Sequence, residues 1–358
     1  MRREVSDERV AVAMSGGVDS SVAAALLVEQ GYEVIGLMLR LWSEPGRKDG
    51  NRCCTPDAVD SARQVADSLG IPFYLLDAEA PFRAAVVDYF VDEYAAGRTP
   101  NPCLMCNRHI RFDLLLRRAL ALDARYLVTG HYARVCHTNG SYHLLKGVDS
   151  AKDQSYVLYM LNQHTLRHVL FPLGDYTKPQ VRHMARQHGL PVAERPESQD
   201  LCFLADGDYR HFLQAERPDA VRPGPIFDRA GRVLGQHKGL PFYTIGQRQG
   251  MGIAAPEALY VLQMDVARNA LIVGAAAELG RRELTASDVS YIAGQAPAEP
   301  ARVTAKIRYQ ANETAALLTP LAGGRADLYF DQSLRDITPG QGVVFYRGEE
   351  LVGGGIIE

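Results

Sequence analysis

The chain has 358 residues, 47% of them hydrophobic and 23% charged, with a net charge of −3 at neutral pH. That balance excludes a disordered chain, and its mild acidity excludes a protein that coats nucleic acid nonspecifically, so any RNA contact must use a local patch. No run approaches the roughly 20 apolar residues of a bilayer span, the start MRREVSDERVAVAMSGG lacks an export signal, and a cytoplasmic protein with no membrane partner is expected.

In chain order, Arg9 to Met14 reads as a short apolar strand, followed by a glycine turn and a helix from about Ser20 to Gln30. Glu33 to Leu41 is a second buried strand, and a helix from about Pro56 to Leu69 leads to a third at Phe73 to Leu76. Helices from about Arg83 to Ala96 and Ile110 to Leu122 flank a long loop and precede the strand Tyr126 to Thr129. This rhythm predicts an α/β domain with a parallel sheet, whose ligands bind beyond the carboxyl ends of the strands. From about Gly224 the style changes to short β-rich runs, with a hairpin around the turn DVARN and tail strands at 301–309, 314–318, 325–330 and 342–346. Three units are expected: 1–210, the nucleotide-binding α/β domain; 211–284, a small central β-rich module; and 285–358, a β-barrel-like domain.

The sharpest signal is Ser15-Gly16-Gly17-Val18-Asp19-Ser20-Ser21, set between a strand and a helix. Glycines bring backbone N–H groups against an anion, and the following helix points its positive end at the same place. Ser15, Ser20 and Ser21 can add hydroxyls, and Asp19 can hold Mg²⁺ against phosphates. No lysine follows the glycines, so this is not a Walker A loop. The loop resembles that of the N-type ATP pyrophosphatases, which release pyrophosphate while adenylating a carbonyl oxygen and share a PP-loop, HUP-like fold.

The six cysteines are Cys53, Cys54, Cys103, Cys106, Cys136 and Cys202. In a large chain without an export signal they read as thiols or ligands rather than a disulfide framework. Cys103-Leu104-Met105-Cys106 follows Thr99-Pro100-Asn101-Pro102 and precedes a helix expected near Arg108; Arg108, His109 and Arg111 would favour a thiolate there. Cys53-Cys54 reads as structural or incidental, Cys136 as buried and inert.

The motifs SGGVDSS, TPNPCLMCNRHIRF, TGHYAR, KDQSYVLYML, SQDLCF and GLPFYTIGQRQGMG occur in this order along almost the whole chain. Together they resemble the bacterial tRNA-specific 2-thiouridylase (MnmA) family, in which the wobble uridine of tRNA exchanges its C2 oxygen for sulfur. The resemblance implies ATP and Mg²⁺ at residues 15–21, with Met38 and Gly130 also against ATP. It implies Cys106 as nucleophile and Cys202 as its partner, carrying a persulfide or forming a transient disulfide. It also implies contacts to the tRNA anticodon arm from His131, Lys152, Asp153, Gln154, Arg308, Tyr309 and Gln341. The sulfur donor, a protein or sulfide, is not specified.

Where many members have Asp after the TPNP loop, this chain has Cys103, and the set Cys103, Cys106 and Cys202 is one expected to hold a [4Fe-4S] cluster with one iron open to sulfide. Cluster and persulfide routes both stay open at this point, as do two rivals: a small-molecule adenylating synthetase and a noncatalytic RNA-binding module. The run Gly239 to Gly252, with Tyr243, Gln247 and Arg248, is expected to form tight turns shaping the central module.

Overall fold

The computed structural model describes residues 8–44, 55–196, 201–204 and 207–358. Cys53 and Cys54 lie outside these residues, as do Ser198, Gln199 and Asp200 of the SQDLCF motif.

Strands β1 (Arg9–Ala13), β2 (Glu33–Arg40), β3 (Phe73–Asp77) and β4 (Tyr126–Val128) are followed by a hairpin, β5 (Ala133–Thr138) and β6 (Ser141–Lys146), and by β7 (Val169–Leu170). The order β3-β2-β1-β4-β7 makes one parallel sheet. β1 is its middle strand and is covered on both faces, which is why its run is apolar rather than alternating. Ala11 points into one core and Val10 and Val12 into the other, and all three are fully buried.

Helix α1 (Val18–Glu29) lies on one face beside α2 (Pro56–Leu69) and the helix Lys178–Gln187. α2 carries its own punctuation: the Thr55 hydroxyl accepts from the Ala58 N–H at 3.1 Å, Pro56 opens the first turn, and Gly70 closes it in the left-handed region.

On the other face the helical segments begin earlier than expected. The first runs from Glu79 through a π-helical stretch, Arg83–Val87, to Ala95. The second starts at Pro102, with the Asn101 side chain accepting from the Cys103 N–H at 3.1 Å, and continues through the π-helical Cys106–Leu115 to Ala121. An Asn cap followed by Pro at the first helical position is a start signal, and it places Cys103 and Cys106 inside the helix rather than ahead of it.

The central module is a sheet of β8 (Gly224–Asp228), β9 (Val233–His237), β10 (Tyr260–Asp265) and β11 (Ala270–Gly274), in the order β10-β11-β8-β9. β10 and β11 form the expected hairpin. The 239–252 run makes the expected turns, with Gly239, Gly246, Gly250 and Gly252 all at positive φ.

The last unit contains β12 (Arg281–Tyr291), β13 (Ala301–Lys306), β14 (Thr314–Leu321), β15 (Arg325–Leu334), β16 (Gly342–Arg347) and β17 (Glu350–Ile357). These six close into a barrel through the β12–β17 pairing, and the β5–β6 hairpin extends its sheet beside β17. Cys136, on β5, is half-buried, correcting the expectation of a buried thiol. β17 reads poorly from sequence because of Gly353, Gly354 and Gly355; a Cβ on Gly353 would stand 2.3 Å from the Ser290 carbonyl oxygen of β12.

Candidate active site

The loop after β1 is built for a glycine. Gly16 has φ +68°, and a Cβ there would stand 2.3 Å from the Ala58 carbonyl oxygen. Gly17 caps α1 without a side-chain bond, so the first-turn N–H groups remain available to an anion. Ser15 is exposed, whereas Ser20 and Ser21 are buried and spend their hydroxyls on the Gly17 carbonyl, at 3.2 and 2.8 Å. Ser20 also accepts from the Ser15 N–H at 3.2 Å. These serines therefore shape the loop from inside, and Val18 packs into the core behind it.

The missing loop lysine is supplied from elsewhere. Lys178 Nζ lies 2.7 and 2.8 Å from the two carboxylate oxygens of Asp19, across a separation of 159 residues. Lys178 is buried, and its own N–H donates to Asp149 at 2.9 Å. Tyr132 donates its hydroxyl to Asp19 at 2.8 Å, and Arg195 donates to the Gly16 carbonyl at 2.9 Å. Sequence reasoning missed all three. The one available cue was Thr177-Lys178-Pro179, a helix start with Pro at its opening.

An open cavity of about 230 Å³ lies beyond the carboxyl ends of β1, β2 and β4, lined by Ser15, Asp19 and Ser20 of the loop and by Met38 of β2. Cys106, Arg111, His131 and Gln154 line the same space. Gly130 borders it too, but its small size serves packing: a Cβ there would be 2.9 Å from the Asp19 carbonyl carbon and the Ser20 nitrogen. Asp19 is the one carboxylate among the described lining residues, so it is the group with the chemistry to hold a Mg²⁺ carried by nucleotide phosphates.

The cysteines divide by exposure. Cys103 is exposed, Cys106 is buried with 9% exposure and opens on the cavity, and Cys202 is half-buried. Cys202 packs against the same apolar core as Cys106, anchored by Phe203, which meets Phe82, Phe90 and Phe212 edge-on. Among the described residues, no group of three His, Cys, Asp or Glu side chains could hold a metal ion. The basic residues near Cys106 also separate: Arg111 shares its cavity, while Arg108 turns toward the Tyr159 hydroxyl and the Asp288 carbonyl of the barrel.

His131 is buried, with Nδ1 2.7 Å from the Thr129 hydroxyl and its ring between Phe112 and Phe171. Burial, reinforced by Arg111, pushes its pKa down to about 3. It is a neutral wall of the cavity and offers no cation to a phosphate.

Of the other residues expected to meet RNA, Asp153 turns inward, Arg308 is exposed, and Lys152, Gln154, Tyr309 and Gln341 are half-buried. Asp153 is buried and accepts from the Gly147 and Ser155 N–H groups, both at 3.1 Å, and from the Ser155 hydroxyl at 2.9 Å. Gln154 accepts from the Tyr132 N–H at 3.0 Å, at the cavity edge. Arg308 pairs with Asp336, Tyr309 packs on Tyr156, and Gln341 donates to the Thr99 carbonyl at 2.8 Å. Lys152 is half-buried beside them.

Residues 8–206 match the family described as tRNA methyl transferase HUP domain, 210–275 the tRNA methyl transferase PRC-barrel domain, and 281–357 the aminomethyltransferase beta-barrel domain. The chain is similar to the tRNA-specific 2-thiouridylase MnmA of Moorella thermoacetica, 54% identical over 352 residues, covering 97% of this chain and 98% of that protein. It is also similar to the protein of the same name from Magnetococcus marinus, 52% identical over 353 residues, covering 98% and 99%. Solved structures show more distant likeness: U34-tRNA thiolase NcsA from Methanococcus maripaludis with its [4Fe-4S] cluster has 22% identity and a TM-score of 0.36, covering 60% of this chain and 69% of that one. A 4-thiouridine synthetase–RNA complex with bound ATP has 17% identity and a TM-score of 0.38, covering 59% and 51%. Identity of about half along nearly the whole length, over a lysine-free glycine loop facing a buried thiol, places the chain in the tRNA-specific 2-thiouridylase MnmA family.

Proposed function

We propose that the protein is a cytoplasmic, ATP-dependent tRNA-uridine 2-sulfurtransferase acting on the wobble uridine. The observation that carries this reading is the shared cavity: the loop Ser15–Ser20 and the Cys106 thiol face one space. ATP phosphates rest on the first-turn N–H groups of α1, with Lys178 and Arg195 supplying the positive charge that a Walker lysine gives elsewhere. Met38 and its neighbours on β2 form the apolar wall for the nucleoside.

Uracil O2 attacks the α-phosphorus and pyrophosphate departs, leaving O2 as part of an AMP leaving group. A sulfur carried as a persulfide on one of Cys106 and Cys202 attacks C2, AMP leaves with the original oxygen, and the second cysteine takes up the remaining S–S bond as a disulfide. With a protein donor, external thiols reduce that disulfide and the donor's own persulfide passes its outer sulfur to the freed cysteine; with sulfide, the sulfide attacks the disulfide itself, giving one cysteine persulfide and one free thiol. Holding base and sulfur in one cavity supplies the proximity that makes the exchange fast. The persulfide route draws on Cys106, buried at the cavity, and on Cys202, packed against the same apolar core.

tRNA reaches the cavity across its rim, where Gln154 stands, with the anticodon arm against the two β units. Mixing the protein with ATP, tRNA and a persulfide donor, then resolving pyrophosphate release from 2-thiouridine formation, tests the reading. Pyrophosphate without thiolated tRNA, under any donor, would leave only the adenylating half.

A further inference from the structure

Gln341, expected at the RNA, also commits its amide inside the protein, and its surroundings give it a second task. Thr99 sits three residues before Pro102, where the cysteine-bearing helix opens, and all three units of the fold meet on it. Its N–H donates to the Pro339 carbonyl at 2.9 Å, and its carbonyl accepts from Gln341 Nε2 at 2.8 Å, both in the barrel's turn before β16. Its hydroxyl reaches the Thr244 hydroxyl of the central module at 3.2 Å.

The barrel turn is itself fixed. The Gly340 N–H donates to the Ile357 carbonyl at 2.8 Å, and the Ile357 N–H donates to the Gln341 carbonyl at 2.8 Å. Gly340 lies so close that a Cβ would be 3.0 Å from the Thr99 backbone, and a Cβ on Gly342 would be 2.9 Å from Leu104 Cδ1. Leu104 stands between Cys103 and Cys106 in the sequence, and Tyr156 ties the same turn down by donating to the Gly342 carbonyl at 2.7 Å. The turn therefore grips the thiol-bearing segment twice, at Thr99 before the helix and at Leu104 within it.

The geometry points to Gln341 as a positioning residue for Cys106, holding the Thr99 carbonyl so that the helix starting at Pro102 keeps its thiol seated on the cavity. The barrel is thus a structural partner of the nucleophile as well as a surface for RNA. In its sulfur-transfer consequence this inference rests on the function proposed above; its thiol-reactivity consequence does not.

The test uses the full-length protein with Gln341→Glu, nearly isosteric but presenting an acceptor to the Thr99 carbonyl, and Gln341→Met, similar in length without a donor. Peptide-resolved alkylation by iodoacetamide reads the accessibility of Cys106 without ATP, tRNA or sulfur donor. One lost hydrogen bond typically corresponds to roughly a two- to tenfold change, so Cys106 alkylation should rise roughly three- to tenfold. Single-turnover sulfur transfer, measured at saturating tRNA, should fall by a similar factor. Thr244→Val, which removes only the hydroxyl contact, gives a milder test of the same junction and a smaller rise, should either Gln341 variant fail to fold. Folded variants whose Cys106 alkylation is unchanged overturn the proposal. Should the proteins prove unable to thiolate tRNA at all, the alkylation result still decides the positioning role.

Discussion

Lys178 closes on Asp19 with both carboxylate oxygens within 2.8 Å of its ammonium, so the glycine loop carries a built-in cation that its own sequence lacks. Removing the ammonium leaves Asp19 without its main counter-charge and the phosphates without a clamp. Lys178→Met should lower pyrophosphate release by roughly 100-fold, the scale of losing one charge-stabilising group. Lys178→Arg should recover only part of it, because a planar guanidinium cannot repeat the compact contact. Rapid-quench measurement of pyrophosphate checks both.

Gly16 is the loop's least replaceable residue. Gly16→Ala combines a left-handed backbone with a Cβ pressed to 2.3 Å from the Ala58 carbonyl oxygen, so α2 must move or the loop must. Destabilisation of about 2 kcal/mol or more is expected, read by urea denaturation, with ATP binding lost in the fraction that stays folded.

His131 gives a pH signature in stability. Its folded pKa, about 3, lies below the ordinary value of 6.5, so the unfolded chain binds the proton first as pH falls. Stability contributed by the neutral, buried ring is full above about pH 6.5 and is lost progressively toward pH 3, at about 1.4 kcal/mol per pH unit. Between pH 7 and pH 5 the parent should lose about 2 kcal/mol more than His131→Gln. Denaturant titrations of both proteins at the two pH values test the difference.

The exposed Cys103 separates the two sulfur routes. With the persulfide route, Cys103→Ala should keep 2-thiouridine formation within a few fold of the parent, and anaerobically purified protein should carry little iron or labile sulfide. About four irons per chain, lost together with activity in Cys103→Ala, would establish the cluster instead.

Much of this architecture is legible locally. SGGVDSS and the capped helix Pro56–Leu69 are contiguous signals, each written within a few residues, and the structure keeps both. What escapes a linear reading is assembled from a distance. Lys178 and Arg195 reach the loop across 159 and 179 residues, with no local mark of their destination. The β5–β6 hairpin joins a barrel encoded more than a hundred residues later, and Pro102, read as loop, is the first residue of a helix because Asn101 caps it. The polar run at 152–154 looks solvent-facing in sequence, but Asp153 is consumed by the turn it stabilises.

One comparison bears hardest on the assignment, because the cavity joins an ATP loop to a single buried thiol. Cys106→Ala, mixed with ATP, unmodified tRNA and a persulfide donor, should release pyrophosphate within a few fold of the parent while forming no 2-thiouridine. Full 2-thiouridine formation by that variant would contradict the placement of sulfur chemistry at Cys106.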